Sequence, residues 1–464
     1  MTDRINCAQW GSAARLAEDI RSGQLSATAV VEFAIARIKV HNEKLNAFVA
    51  VDEDGALAAA RRIDDAVRCG SDPGPLAGVP IGVKDLEDCR GFKTTHGSRL
   101  FANTSAAAQD SLHVARLRAA GAVPIGKTAA SEFGFDSATN TALFGVTRNP
   151  WNLELTPGGS SGGSAAAVSS ALVPMATSTD YGGSTRSPAA NAGLVGLKAS
   201  RGLVPTTDSC PFTVPGVLTT NVCDTARYLD IVANERSARS FEAACESLTT
   251  VGLSAAWSSD LGYLPVDTEV ERVAEAAASS LVAAAGLQLK QLNVRLTNIY
   301  PEFVDVVVHG ISRIVGDQDA GLVLVGEKIR NSLSEFSPRW PQAKRAIEGR
   351  CRALLKDIRL LFRDIDVLLT PVTVCPPFRA EGRDFDLVRG RSVAGMGVEN
   401  FPLWANAVGA PSISVPAGFT QAGAPVGLLI SGRPGADATV LRLARVLELA
   451  KPWPIFAPDF MPGD

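Results

Sequence analysis

Apolar residues return at helical spacing through residues 12–22 and 27–43, which predicts two amphipathic helices, the second with Ser26 placed to cap its first turn. The run LAGVPIGVKDL at 76–86 predicts a buried strand whose end carries Lys84. Asp110 stands where it would cap the helical pattern SLHVARLRAAG, which stops at Gly121 and passes into the apolar strand AVPIG. The same alternation continues. TEVERVAEAAASSLVAAA at 268–285 is a helix framed by Asp267 and Gly286, DIDVLLTPV at 364–372 and GAPSISVPAG at 409–418 read as interior strands, and DATVLRLARVLELA at 437–450 closes as a helix. Helix and strand alternating in this way predict an α/β layered fold. From about 290 to 400 helices and variable loops are expected, with PPFRAEGRDFDLVRGRS at 376–392 as a long surface excursion.

Residues 155–195 break the pattern. Glycine and small hydroxyl residues concentrate in GGSSGGSAAA and again in STDYGGSTRSPAA, a composition suited to two close-packed turns that each feed a helix. No repeat, heptad array or low-complexity linker divides the chain.

Composition narrows the function classes. The 464 residues are 46% hydrophobic and 20% charged, the balance of a folded chain, and the net charge of −3 gives no general pull toward nucleic acid, so no nucleic-acid partner is expected. The start MTDRINCAQW lacks the apolar run of a signal peptide, and the Ala-rich 162–175 is too short to span a bilayer, so a cytoplasmic location without stable membrane insertion is expected. The eight scattered cysteines form no C-x-x-C pair and read as reduced thiols.

Several chemistries are disfavoured. Gly121 to Thr128 fits the phosphate-loop pattern, but the helix precedes this segment, its middle is apolar, and Pro124 lacks an amide proton. The four histidines, His41, His96, His113 and His309, form no zinc-binding spacing and no Ser-His-Asp arrangement, so neither a metal nor a cofactor is expected. What remains is a hydroxyl nucleophile activated by something other than imidazole. A buried lysine serves if its proton affinity is lowered, because only the neutral amine accepts a proton. Lys84 is the candidate, provided that its neighbour Asp85 points elsewhere. The two turns supply hydroxyls at Ser160, Ser161 and Ser184. Consecutive amides from Tyr181 to Ser184 would hold an oxyanion, and Asp180 and Arg186 would pair to fix the loop.

GVPIGVKD around Lys84, TPGGSSGGSAAAV around Ser160 and TDYGGSTRSPAANAGLVGLKASRGLVP around Ser184, with their spacing, resemble the amidase signature family. Weaker agreement extends to GAPSISVPAG and PVGLLISG, over nearly the whole chain. The resemblance implies a single three-layer α/β/α domain with a large mixed central β-sheet over residues 1–464, with a signature core at about 76–205 and a variable substrate-pocket region at about 290–400. It implies that Lys84 is the base, Ser160 an intermediary preceded by a cis peptide bond, and Ser184 the nucleophile. Ser161 would be a supporting hydrogen-bond donor, and Tyr181, Gly182, Gly183 and Ser184 would supply oxyanion amides. Tyr181 departs from the small or aliphatic residue common at that place, which bears on pocket shape. Phe133, Phe135, Phe401 and Trp404 are candidates for an apolar substrate pocket. The implied activity is hydrolysis of a small-molecule amide through an acyl-serine. An ammonia-releasing amidotransferase component, a hydrolase of urea-like compounds or esters, and a non-catalytic relative remain as alternatives, and the resemblance is compatible with a homodimer.

Overall fold

The computed structural model describes residues 5–208, 210–234, 240–316, 319–336, 340–383, 387–393 and 400–462. Among these, eleven strands form one mixed sheet. From edge to edge they run Phe48–Val51, Val123–Thr128, Pro80–Lys84, Met175–Asp180, Val214–Thr219, Val195–Lys198, Ser412–Phe419, Pro425–Gly432, Val367–Pro371, Ser254–Trp257 and Gln288–Leu289. Pro80–Lys84 pairs parallel with both its neighbours, whereas the middle of the sheet, from Met175–Asp180 to Val367–Pro371, is antiparallel throughout. Every residue of Pro80–Lys84, Val123–Thr128 and Pro425–Gly432 is buried. A strand buried on both faces needs cover on both, and helices supply it, giving the expected single α/β/α domain.

The helix ends follow local chemistry. Ser12 accepts from Arg15 N at the start of Ala13–Arg21, and Ser26 accepts from Ala29 N at the start of Ala27–Leu45. Asp267 accepts from Glu269 N and Val270 N ahead of Thr268–Ala285, which ends on left-handed Gly286. Asp110 is a correction. Ser111 holds the cap position of Leu112–Ala119, with no side-chain bond, while the Asp110 carboxylate accepts from Arg90 N and pairs with Arg118. Arg118, eight residues on, and the Arg90 amide take up that carboxylate.

The strand expected at 76–86 is confined to Pro80–Lys84, and the one expected at 364–372 begins at Val367, because the helix Trp340–Asp364 runs into it. The excursion at 376–392 is only partly on the surface. Phe378 and Ala380 are buried and bond to Thr156 and Glu154, and a short hairpin of Leu387–Val388 with Arg391–Ser392 follows; residues 384–386 lie outside the described residues. Among the described residues no helix is long and apolar enough to cross a membrane.

Candidate active site

Lys84 ends the strand Pro80–Lys84, third from the edge of the sheet, and is fully buried. Its ammonium nitrogen lies 2.8 Å from Ser160 Oγ, 2.9 Å from Thr179 Oγ1 and 3.3 Å from Thr179 O. Burial lowers its pKa from the usual lysine value to about 7, against the opposing pull of the Glu87 and Asp180 carboxylates. Asp85 points away, as required. It accepts from Thr95 N, the Thr95 hydroxyl and Gly97 N, and lies 3.7 Å from the Lys127 ammonium. Lys127, the lysine of the phosphate-loop look-alike, is itself buried, donating to Glu87 O and Thr94 Oγ1. Thr177 links the strand to its surroundings: its hydroxyl accepts from Lys84 N and donates to Glu87 Oε2.

Ser160 stands in the first glycine-serine turn, and the Gly159–Ser160 peptide bond is cis. The helix Gly162–Ser169 leaves the turn at once and is buried along its whole length. Its glycines permit close approach: a Cβ on Gly163 would lie 2.2 Å from Ala129 N. Ser161 differs from its expected role. Its Oγ is buried and meets no hydrogen-bond partner among the described residues.

The second turn is held from beneath. Arg186 donates to both Asp180 oxygens, Nε at 2.9 Å to Oδ2 and Nη2 at 2.7 Å to Oδ1, and both side chains are fully buried. Burial alone would raise the Asp180 pKa, but Arg186, with Asn406, outweighs it and leaves the carboxyl at about 2. Asn406 is a residue that the sequence reading missed. It donates to Asp180 Oδ1, Asp180 O and Phe212 O and accepts from Arg186. Asp180 also accepts from Gly183 N at 2.8 Å and from Thr185 N at 3.1 Å, with Gly183 at φ +140. The Gly183 amide is therefore committed to the carboxylate, which leaves those of Tyr181, Gly182 and Ser184 as candidates to hold an oxyanion. Ser160 and Ser184 line adjoining cavities that share Gly134, Tyr181 and Val307 as walls, with no hydrogen bond between the two side chains.

Phe133 and Phe135 line these cavities. Phe401 and Trp404 line neither; they are buried in the main core, on the helix Asn400–Val408 that also carries Asn406. The helix Tyr300–Val315 supplies the facing wall through Phe303, Val304, Val307 and Ile311. Phe303 approaches so closely that a Cβ on Gly182 would lie 2.8 Å from its ring. The Tyr181 ring packs against both Phe303 and Phe212, with centroids at 5.1 and 5.8 Å, and those two rings also touch each other at 5.5 Å.

The amidase family model matches residues 29–441. The chain is 32% identical over 471 residues to an acylamidase of Rhodococcus erythropolis, covering 96% of each protein. It is 32% identical over 471 residues to a glutamyl-tRNA(Gln) amidotransferase subunit of Desulforapulum autotrophicum, covering 92% of this chain and 94% of that one. A bacterial aryl acylamidase of the amidase signature family superposes with a TM-score of 0.90 at 26% identity, over 98% of this chain and 99% of that chain. These likenesses span nearly the whole sheet and both turns, and on them the chain belongs to the amidase signature family, as a hydrolase of amide bonds.

Proposed function

We propose that the protein hydrolyses a small-molecule carboxylic amide to a carboxylate and an amine or ammonia, with Lys84 as base, Ser160 as relay and Ser184 as nucleophile. The observation that carries the reading is the buried Lys84 Nζ at 2.8 Å from Ser160 Oγ, with a pKa of about 7 that leaves much of it neutral near neutral pH. Neutral Lys84 takes the Ser160 proton as Ser160 takes that of Ser184, and Ser184 Oγ attacks the carbonyl carbon. The amides of Tyr181, Gly182 and Ser184 hold the resulting oxyanion. Collapse breaks the C–N bond, Ser160 passes the proton to the departing nitrogen, and water enters by the same relay to cleave the acyl-Ser184 ester. Residues of about 76–205 form the catalytic core in this reading, and those of about 290–400 shape the pocket.

Apolar side chains, Phe133, Phe303, Val304, Val307 and Ile311, dominate the cavity walls and favour an apolar amide. The names of the acylamidase and aryl acylamidase relatives point the same way. Asp208 and Arg313 on the wider cavity are the observation that favours a second reading, release of ammonia from glutamine for a partner protein, in line with the likeness to the glutamyl-tRNA(Gln) amidotransferase. Incubation with acetanilide and, separately, with glutamine, with amine and ammonia measured, decides between them. The proposal expects anilide turnover and fluorophosphonate labelling at Ser184; glutamine turnover alone would replace it with the second reading.

A further inference from the structure

The space around the two serines is divided unequally. Ser184 faces a pocket of about 60 Å³ walled by Phe135, Tyr300, Phe303 and Val304. Ser160 faces a cavity of about 580 Å³, whose walls include Phe133, Ile311 and Ile314 together with polar Asp208 and Arg313. Tyr181 lines both, and its ring packs against Phe212 and Phe303. Burial, then the Cys210 thiol beside it, keeps its phenol protonated well above the ordinary tyrosine range.

The proposed relay gives each space a chemical identity, and the inference rests on that reading. The group that protonates the departing nitrogen is Ser160, so the amine half of the substrate must lie on the Ser160 side. The acyl carbon becomes bonded to Ser184, so the acyl chain lies on the Ser184 side. We infer that the substrates are amides of a short acyl group with a bulky amine, and that Tyr181 is a specificity-determining residue that closes the acyl side. A pocket of this size admits about four water-sized groups at roughly 15 Å³ each, which is an acyl chain of a few carbons. The wide cavity accommodates an aromatic amine, with Asp208 and Arg313 placed for polar substituents on it.

Two substrate series test this in the intact protein. With aniline held constant as the leaving group, the acyl chain is lengthened from acetyl through butanoyl to octanoyl. With acetyl held constant, the amine is enlarged from aniline through naphthylamine to aminobiphenyl. The expected kcat/KM falls by about ten-fold or more along the first series and by less than about three-fold along the second. Y181I and V304A are each expected to raise the octanoyl-to-acetyl ratio several-fold, a selectivity change that a merely structural role would not produce. Equal or better turnover of octanoyl anilide by the unmutated protein, with Ser184 still labelled by a fluorophosphonate, overturns this inference and leaves the proposed function standing. Failure of both labelling and anilide turnover in folded protein overturns both.

Discussion

The floor of the site and its roof are held together by different physics. The floor is Lys84, Ser160, Ser184 and the Asp180–Arg186–Asn406 cluster, buried at strand ends, on the two turns and on the helices Arg186–Ala192 and Asn400–Val408, with hydrogen bonds reaching across more than 200 residues of sequence. The roof is the pair of helices Tyr300–Val315 and Glu327–Phe336, which share a small core of Val308, Ile311, Val315, Val325, Ile329 and Leu333 separate from the main one. Ile314, on the wall of the Ser160 cavity, is half exposed. A charge network in a dry interior tolerates little change, because removing one partner strands the other; an apolar satellite core loses stability in smaller steps as methylenes are removed. Substitutions in the floor should therefore abolish chemistry or folding, and those in the roof should shift substrate choice.

The largest effect expected is on the floor. S184A should lower kcat by roughly 10⁴-fold or more while the thermal midpoint stays within a few degrees, measured by anilide turnover and thermal unfolding. R186M leaves the Asp180 carboxylate buried without its main partner, and should cost about 3–5 kcal/mol in urea unfolding. A loss below about 1 kcal/mol would show that the loop does not depend on the pair. K84M removes a group whose pKa is lower in the folded chain than in the unfolded one. Between pH of about 7 and the usual lysine value the unfolded chain holds the extra proton, so Lys84 makes stability rise with pH in that window. The difference in stability between the unmutated protein and K84M should thus change in favour of the former as pH rises through the window. On the roof, I311A should cost about 2–4 kcal/mol of stability and raise KM for an apolar amide a few-fold, with kcat changed less. An equal fall in kcat would place that wall in the chemistry and break the comparison.

How far the sequence could be read follows the same division. The floor's local parts were visible, because glycines where the backbone must turn or approach closely, and a lysine at the end of an apolar run, are local signals: Lys84 reaches Ser160, Asp85 turns away, and Asp180 pairs with Arg186. Asn406 was not visible, since an isolated asparagine in a helical segment carries no sign of a carboxylate that lies 226 residues earlier. Thr177 and Thr179 carry no local sign either, since their hydroxyls meet Lys84 from a neighbouring strand. That the Gly183 amide donates to Asp180 is not legible either, because a carboxylate facing an arginine carries no sign that it also accepts from the backbone. The roof was legible as helices but not as pocket wall: Phe303, Val307 and Ile311 follow ordinary helical periodicity, and which face meets the site depends on tertiary packing. Phe401 and Trp404 show the converse, aromatic residues expected at the pocket that the fold takes into the main core.

The central claim is that a buried, neutral Lys84 activates Ser184 through Ser160. Its most direct test is the rate of fluorophosphonate labelling at Ser184, located by peptide mass spectrometry, as a function of pH. The account predicts a rate that rises with pH through a midpoint near 7, as Lys84 loses its proton, and a slow rate without that midpoint in K84M. A pH-independent rate, the same midpoint in K84M, or labelling at another residue would contradict it.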